Sequence, residues 1–289
     1  MSHMIDLNTY AVDVGNSPYS YIPTKSVCIT FVVLFGLSTL LHALQLLHSR
    51  LWWLLPTAFL SGAGEVVGWS GRLWSSIDVP AQTPFMMQVV ATIIAPTPLL
   101  AAIFIAFARL TELLGVGYSR LSPRWYSRIF LTCDIIALIA QGAGGGIAAG
   151  ATTDSGANLG GNIMLAGIVF QLVAQLAFVT LAAEVLYRFV HDRPVGPHKN
   201  QMEKDAGARP WNTRLKLASL GLAVSIGFLI IRSVYRTVEL GAGWTGKVVR
   251  TQVYFNVFDG GMVTVAMYAL NVFHPGFLLD CARAAGEEA

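Results

Sequence analysis

Three groups of residues in this sequence share a spacing that gathers charge on one side of a helix. Glu65 and Arg72 stand seven apart, Arg232, Arg236 and Glu239 follow an i, i+4, i+7 pattern, and Gln252, Asn256 and Asp259 repeat it. At 3.6 residues per turn each group falls on one face. Carboxylates and arginines arranged this way suit three kinds of chemistry: gripping a charged headgroup, general acid/base work, or locking helices together through ion pairs. Asp134 and Gln141 form a fourth such pair. Asp134 has no charged neighbour on its own stretch, and reads either as a hydrogen-bonded core carboxyl or as part of a proton or polar pathway.

The elements that must position these residues are apolar. The chain has 289 residues, 54% hydrophobic and 12% charged, with a mean hydropathy of +0.58, whereas soluble domains carry roughly a quarter charged residues. Apolar stretches fall at about 26–48, 53–74, 84–110, 126–149, 161–187, 215–240 and 251–273. Each is long enough to cross a bilayer as a helix, which takes about 20 residues. The runs lack the alternation of membrane strands. The expected fold is all-α, a polytopic membrane protein built as a seven-transmembrane-helix bundle. A charge inside a bilayer costs at least about 2.5 kcal/mol on insertion scales, so every stripe needs a partner or an aqueous cavity.

Basic residues are retained on the cytosolic side. Arg50, the group Arg109, Arg120, Arg124 and Arg128, the run from Arg188 to Lys216, and Arg283 fall on one side; Lys25, Lys247 and Arg250 fall on the other. The expected organisation is an extracellular segment 1–25, a transmembrane domain 26–273 with a cytosolic loop 188–214, and a cytosolic tail 274–289. With the N-terminus outside, all three stripes lie in the outer half of the membrane and predict a polar pocket open to the outer leaflet. Buried ion pairs, with Arg72 snorkelling to the interface, are the structural alternative.

Other features carry less chemistry. Gly142, Gly146 and Gly150 have small-xxx-small spacing, which predicts close helix packing. Interhelical hydrogen bonding accounts for His42, Gln45, Gln171 and Gln175, while Pro96 and Pro98 are expected to bend the third stretch. His42 is the histidine set clearly within a span, so no metal is expected, and no cofactor. The seventh stretch has no lysine for a retinal Schiff base. Gly241 to Lys247 begins like a phosphate-binding loop, but Val248 stands where a serine or threonine should follow. Basic residues form no stripe with interleaved aromatics, so nucleic acid is not an expected partner. Cys28, Cys133 and Cys281 are placed too far apart to suggest a disulfide and read as free thiols.

In order along the chain, Tyr19-Ser20-Tyr21-Ile22-Pro23, the His42/Gln45 pair, Glu65 through Arg72, Ile94-Ala95-Pro96, Asp134 with Gln141 and its glycines, Arg232-Ser233-Val234-Tyr235-Arg236 through Glu239, and Tyr254 through Asp259 to His274-Pro275-Gly276 resemble the fungal RTA-like, or lipid-translocating exporter, family. The resemblance implies seven-helix membrane proteins tied to resistance against toxic sterols and sphingoid bases and, in some members, to porphyrin transport. Gln252 departs from the family pattern, which usually has an acidic residue there, and removes one charge from the expected site.

The expected function is therefore binding and translocation or export of a membrane lipid or amphiphilic small molecule, with Glu65, Arg72, Arg232, Arg236, Glu239, Gln252, Asn256 and Asp259 around its headgroup. An intramembrane enzyme using Glu65 or Asp259, and a receptor for amphiphiles, are the alternatives. The expected location is the plasma membrane, with an internal membrane as the alternative.

Overall fold

The computed structural model describes residues 17–195, 212–243 and 246–280. Most of the expected cytosolic loop, the start of the N-terminal segment and the end of the tail, with Cys281, lie outside the described residues. Those described are helical, with no strand among them.

The helices are α1 (Lys25–Ser49), α2 (Leu60–Ser75), α3 (Gln82–Leu114), α4 (Pro123–Gly150), α5 (Asp154–Val190), α6 (Thr213–Gly241) and α7, assembled from Gln252–Phe255, a π-helical Asn256–Gly261 and Met262–Val272. Six are long and apolar enough to cross a membrane. The α-helical part of α2 has 16 residues, but 3₁₀ and π turns over Trp52–Leu54 and Leu55–Phe59 lead into it and lengthen the helical path. The chain is an all-α, polytopic, integral membrane protein.

Burial follows from what faces lipid. Val33, Leu37, Leu40 and Leu44 of α1, Ile135, Ile136 and Ile139 of α4, and Val173 and Leu176 of α5 are exposed on the bundle surface, where hydrocarbon rather than water is the natural solvent. α3 runs through the centre, burying Leu99 through Phe104 almost without interruption. Phe104, Phe107, Tyr126, Phe130 and Phe178 stack around it with ring centroids 4.6–6.5 Å apart.

Two backbone irregularities position the site. Proline has no N–H, so Pro96 cannot bond the carbonyl four residues earlier and that of Thr92 is left open. α3 is correspondingly interrupted at Ala95, between Gln82–Ile94 and Pro96–Leu114. In α7 the π-helical turn holds Asp259, and such turns recur at functional sites. It also overturns the expectation of one straight polar stripe on this helix: Asp259 is fully buried, while Gln252 and Asn256 are half-buried.

Glycine packing follows a different register from the one expected. A Cβ on Gly142, Gly146 or Gly150 would meet nothing within 4 Å, whereas one on Gly144 would come within 2.6 Å of the Gly160 carbonyl and the Met164 nitrogen. The α4–α5 contact therefore runs through Gly144, Gly160 and Gly167. α5 begins at Asp154 rather than near Gly161, capped by the Thr153 hydroxyl, which accepts from the Gly156 N–H at 3.3 Å. Between α2 and α3, Gly68 approaches Thr92 and Gly71 approaches Gln88, bringing the broken third helix against the charged face of the second.

Candidate functional site

Arg232, Arg236 and Asp259 form the centre of the charged cluster. Asp259 Oδ1 accepts from Arg232 Nε at 2.9 Å and Arg236 Nε at 2.8 Å, and Oδ2 accepts from Arg236 Nη2 at 2.9 Å. Arg232 Nη2 donates to the open carbonyl of Thr92 at 2.5 Å, the acceptor that Pro96 leaves free. Arg236 Nη2 also donates to the Thr92 hydroxyl at 2.7 Å, and its Nη1 to Glu239 Oε2 at 2.7 Å. The Tyr235 hydroxyl donates to the other Glu239 oxygen at 2.8 Å. These four charges are at most 6% exposed, and charge-assisted bonds of this kind are what allow such burial.

Glu65 and Arg72, which share the buried face of α2, do not pair with each other. Glu65 lies in the field of Arg232, Arg236 and Asp259 with the Trp69 indole beside it, and among the described residues no donor meets either carboxyl oxygen in good hydrogen-bond geometry. Arg72 is fully buried and does not snorkel. Its Nη2 donates to the Tyr21 hydroxyl at 2.7 Å, and its guanidinium lies 4.4 Å from the Phe255 ring centroid, 5.1 Å from Tyr19, 5.6 Å from Tyr21 and 5.8 Å from Trp69. Among the described residues Nε and Nη1 have no hydrogen-bond partner. Tyr19 and Tyr21 come from the segment before α1, where a turn with the Ser17 hydroxyl donating to the Tyr21 carbonyl folds them over the end of α2. Burial pushes the Tyr19 hydroxyl up to about 12 against the opposing pull of Arg72, so it stays neutral at physiological pH.

A cavity of about 40 Å³ opens between this aromatic box and the α6 end of the charged cluster. Arg72, Tyr19, Tyr21, Arg236 and Glu239 supply its polar wall; Phe85, Val89, Ile93, Leu240, Val249 and Phe255 supply its apolar wall. Val89 and Ile93 belong to a small apolar cluster separate from the main core. Gln252 stands apart from this wall, accepting from the Thr24 hydroxyl at 3.2 Å. Asn256 Oδ1 has no partner.

Asp134 and Gln141 sit in a separate polar chain. Gln171 Nε2 donates to Thr97 Oγ1 at 3.1 Å and reaches Asp134 Oδ1 at 3.4 Å, while Gln141 Nε2 donates to Gln171 Oε1 at 3.0 Å. Gln175 joins α5 to α6, accepting from Ser233 at 3.1 Å. At the opposite end of the bundle, Asn271 donates to Ser38 Oγ at 2.6 Å and its carbonyl accepts from Gln45 at 2.8 Å. His42 of α1 and His274, just past the end of α7, are also buried, and among the described residues no ring nitrogen of either has a partner in good hydrogen-bond geometry.

Sequence spacing identified the charged residues, but not the residues that complete their shells. Thr92, Gln88 and Phe255 carry no charge and no pattern that sets them apart from ordinary helix-packing side chains. Tyr19 and Tyr21 stand out only through the resemblance noted above.

The structure is thus an all-α membrane bundle with a buried arginine–carboxylate centre beside a cavity that has one polar and one apolar wall. The family described as RTA1 like protein matches residues 58–281, and the chain belongs to that family. It is 31% identical over 287 residues to the Saccharomyces cerevisiae sphingoid long-chain base transporter RSB1, covering 91% of this chain and 75% of the relative. It is 27% identical to the yeast protein RTA1, over 85% and 81% of the two chains. Protoporphyrin uptake protein 1 of the same yeast is 25% identical over 90% and 92%. No solved structure matches.

Proposed function

We propose that this protein binds lipid-like amphiphiles by their polar end in the cavity beside Arg72 and transfers them across the membrane. The observation that carries the reading is the junction of a fully desolvated charge centre with a cavity walled on its other side by Phe85, Val89, Ile93 and Leu240. Such a wall accepts hydrocarbon, and the charged side accepts a headgroup. Relatives named as a sphingoid long-chain base transporter and a protoporphyrin uptake protein give the same general direction, lipid or amphiphile transport.

The cavity lies at the end of the bundle where the N-terminal segment packs. The basic residues Arg120, Arg124, Arg128, Arg188 and Arg193 lie at the other end, which supports an N-terminus outside and a cavity serving the outer leaflet. A catalytic reading receives less support, because Glu239, the carboxylate lining the cavity, is engaged by Tyr235 and Arg236.

The test is leaflet transfer in proteoliposomes of labelled sphingoid base, phospholipid and porphyrin, with product mass recorded, for wild type and Arg72→Gln. Transfer of a chemically intact ligand, lost in the variant, is the expected result. Binding without transfer would make the protein a receptor, a changed product mass would make it an enzyme, and no binding would reduce the charge cluster to a structural lock.

A further inference from the structure

We infer that the cavity is an oxyanion receptor, in which the Arg72 guanidinium binds the phosphate or carboxylate end of an amphiphile. The inference rests on the amphiphile reading above and adds the sign of the headgroup.

The charged groups around the cavity differ in how far they are already engaged. Asp259 receives three hydrogen bonds from Arg232 and Arg236, and Glu239 receives one from each of Tyr235 and Arg236. The carboxylate on the cavity wall thus has arginine and tyrosine partners before a cation could arrive. Arg72 differs. Among the described residues it makes no ion pair; a phenol at 2.7 Å is its hydrogen-bond acceptor, and two of its nitrogens are buried without partner. Four ring contacts stabilise the cation without supplying an acceptor to those nitrogens. Glu65 and Asp134, whose carboxyls also hold oxygens without a hydrogen-bond partner among the described residues, are not in the cavity wall.

Nε and Nη1 lie on different edges of the guanidinium, so each offers an oxyanion a single charge-assisted contact rather than a fork, from a cation with no carboxylate of its own among the described residues. The space fits as well: 40 Å³ is room for roughly three waters or one small oxyanion in their place. An alkyl ammonium brought to the same position would meet Arg72 as a like charge, with Glu239 already engaged. The box of Tyr19, Tyr21 and Phe255 resembles a cage for a ligand cation, but it is filled by the protein's own arginine, which reverses the preference.

The test titrates protein in dodecyl maltoside with n-dodecyl phosphate, n-dodecanoate, n-dodecylammonium and n-dodecanol, each also against inorganic phosphate, reading equilibrium binding. The two anions are expected to bind at least about tenfold more tightly than the ammonium and the alcohol, as a buried charge-assisted contact allows. Arg72→Gln is expected to remove that preference. If Arg72→Gln does not elute as a folded, monodisperse species, Arg72→Lys carries the test: it keeps the charge, replaces the planar guanidinium and its spread donors by a compact ammonium, and is expected to weaken anion binding several-fold. Preference for the ammonium, or an anion preference that survives Arg72→Gln, would overturn the oxyanion assignment alone. Failure of all four amphiphiles and of inorganic phosphate would sink the amphiphile reading together with this assignment. Inorganic phosphate binding as tightly as dodecyl phosphate would keep the oxyanion site and remove the amphiphile from it.

Discussion

Asp259 and Arg72 are both buried and charged, but their substitution should have opposite consequences. Asp259 pairs with two arginines through three bonds, so Asp259→Ala leaves Arg232 without its carboxylate and Arg236 with Glu239 alone in a dry interior. Breaking a buried pair from one side typically costs about 3–5 kcal/mol. The expected result is a large fall in melting temperature in detergent, or loss of the folded species. Arg72 has no carboxylate depending on it, so Arg72→Gln is expected to melt closer to wild type while losing ligand binding. If Arg72→Gln melts as low as Asp259→Ala, Arg72 is a structural post rather than a binding group. Thr92 offers an intermediate case. Thr92→Val keeps the carbonyl bonded to Arg232 and deletes the hydroxyl bonded to Arg236, removing a hydrogen bond to a charged group worth about 1.5–3 kcal/mol; equilibrium unfolding in detergent should register a loss of that order.

At the level of elements, helix irregularity and helix packing do separate jobs. The interruption of α3 and the π turn of α7 present Thr92 and Asp259 to the same pair of arginines, while Gly68 and Gly71 hold α2 close enough to α3 for the cluster to close. The α4–α5 pair is held by another set of glycines, and the two registers on α4 can be told apart by mutation. Gly144→Ala would drive a methyl into the Gly160 carbonyl, and is expected to destabilise the α4–α5 contact by about 1–3 kcal/mol, the usual range for overpacking. Gly146→Ala, with nothing within 4 Å, is expected to be neutral or stabilising by up to about 1 kcal/mol through helix propensity. Paired melting curves of the two variants decide it; equal effects would refute the observed register.

For the molecule as a whole, orientation determines which leaflet the cavity serves. The α4–α5 turn at Ser155 lies at the cavity end of the bundle and Ser122 at the opposite end, both exposed. In a background without native cysteines, Ser155→Cys is expected to react with a membrane-impermeant maleimide on intact cells, and Ser122→Cys only after permeabilisation. The reverse labelling would turn the cavity to the cytosol and make outward transfer from the inner leaflet the natural direction. The two ends also differ in chemistry: Arg72, Arg236 and Glu239 line the cavity, whereas His42, Asn271 and His274 are buried polar residues at the other end. Movement of a headgroup between the ends would pass from a charged to a neutral polar environment.

The sequence by itself determined the membrane-spanning helical character and which charges are buried, because both follow from local facts: runs of about 20 apolar residues and the rarity of an ionisable side chain within them. It also placed Glu65 with Arg72, and Arg232 with Arg236 and Glu239, on shared faces, because helical periodicity is local. Pairing was decided only by tertiary structure. The same-helix neighbours Glu65 and Arg72 find different surroundings, Arg232 and Arg236 share a carboxylate from another helix, and Thr92 joins them because a proline four residues on releases its carbonyl. The glycine register likewise depends on which face α5 presents to α4, and the π turn at Asp259 leaves no periodicity to read. The local pattern limits each residue to a face, while the partner on that face comes from helices remote in sequence.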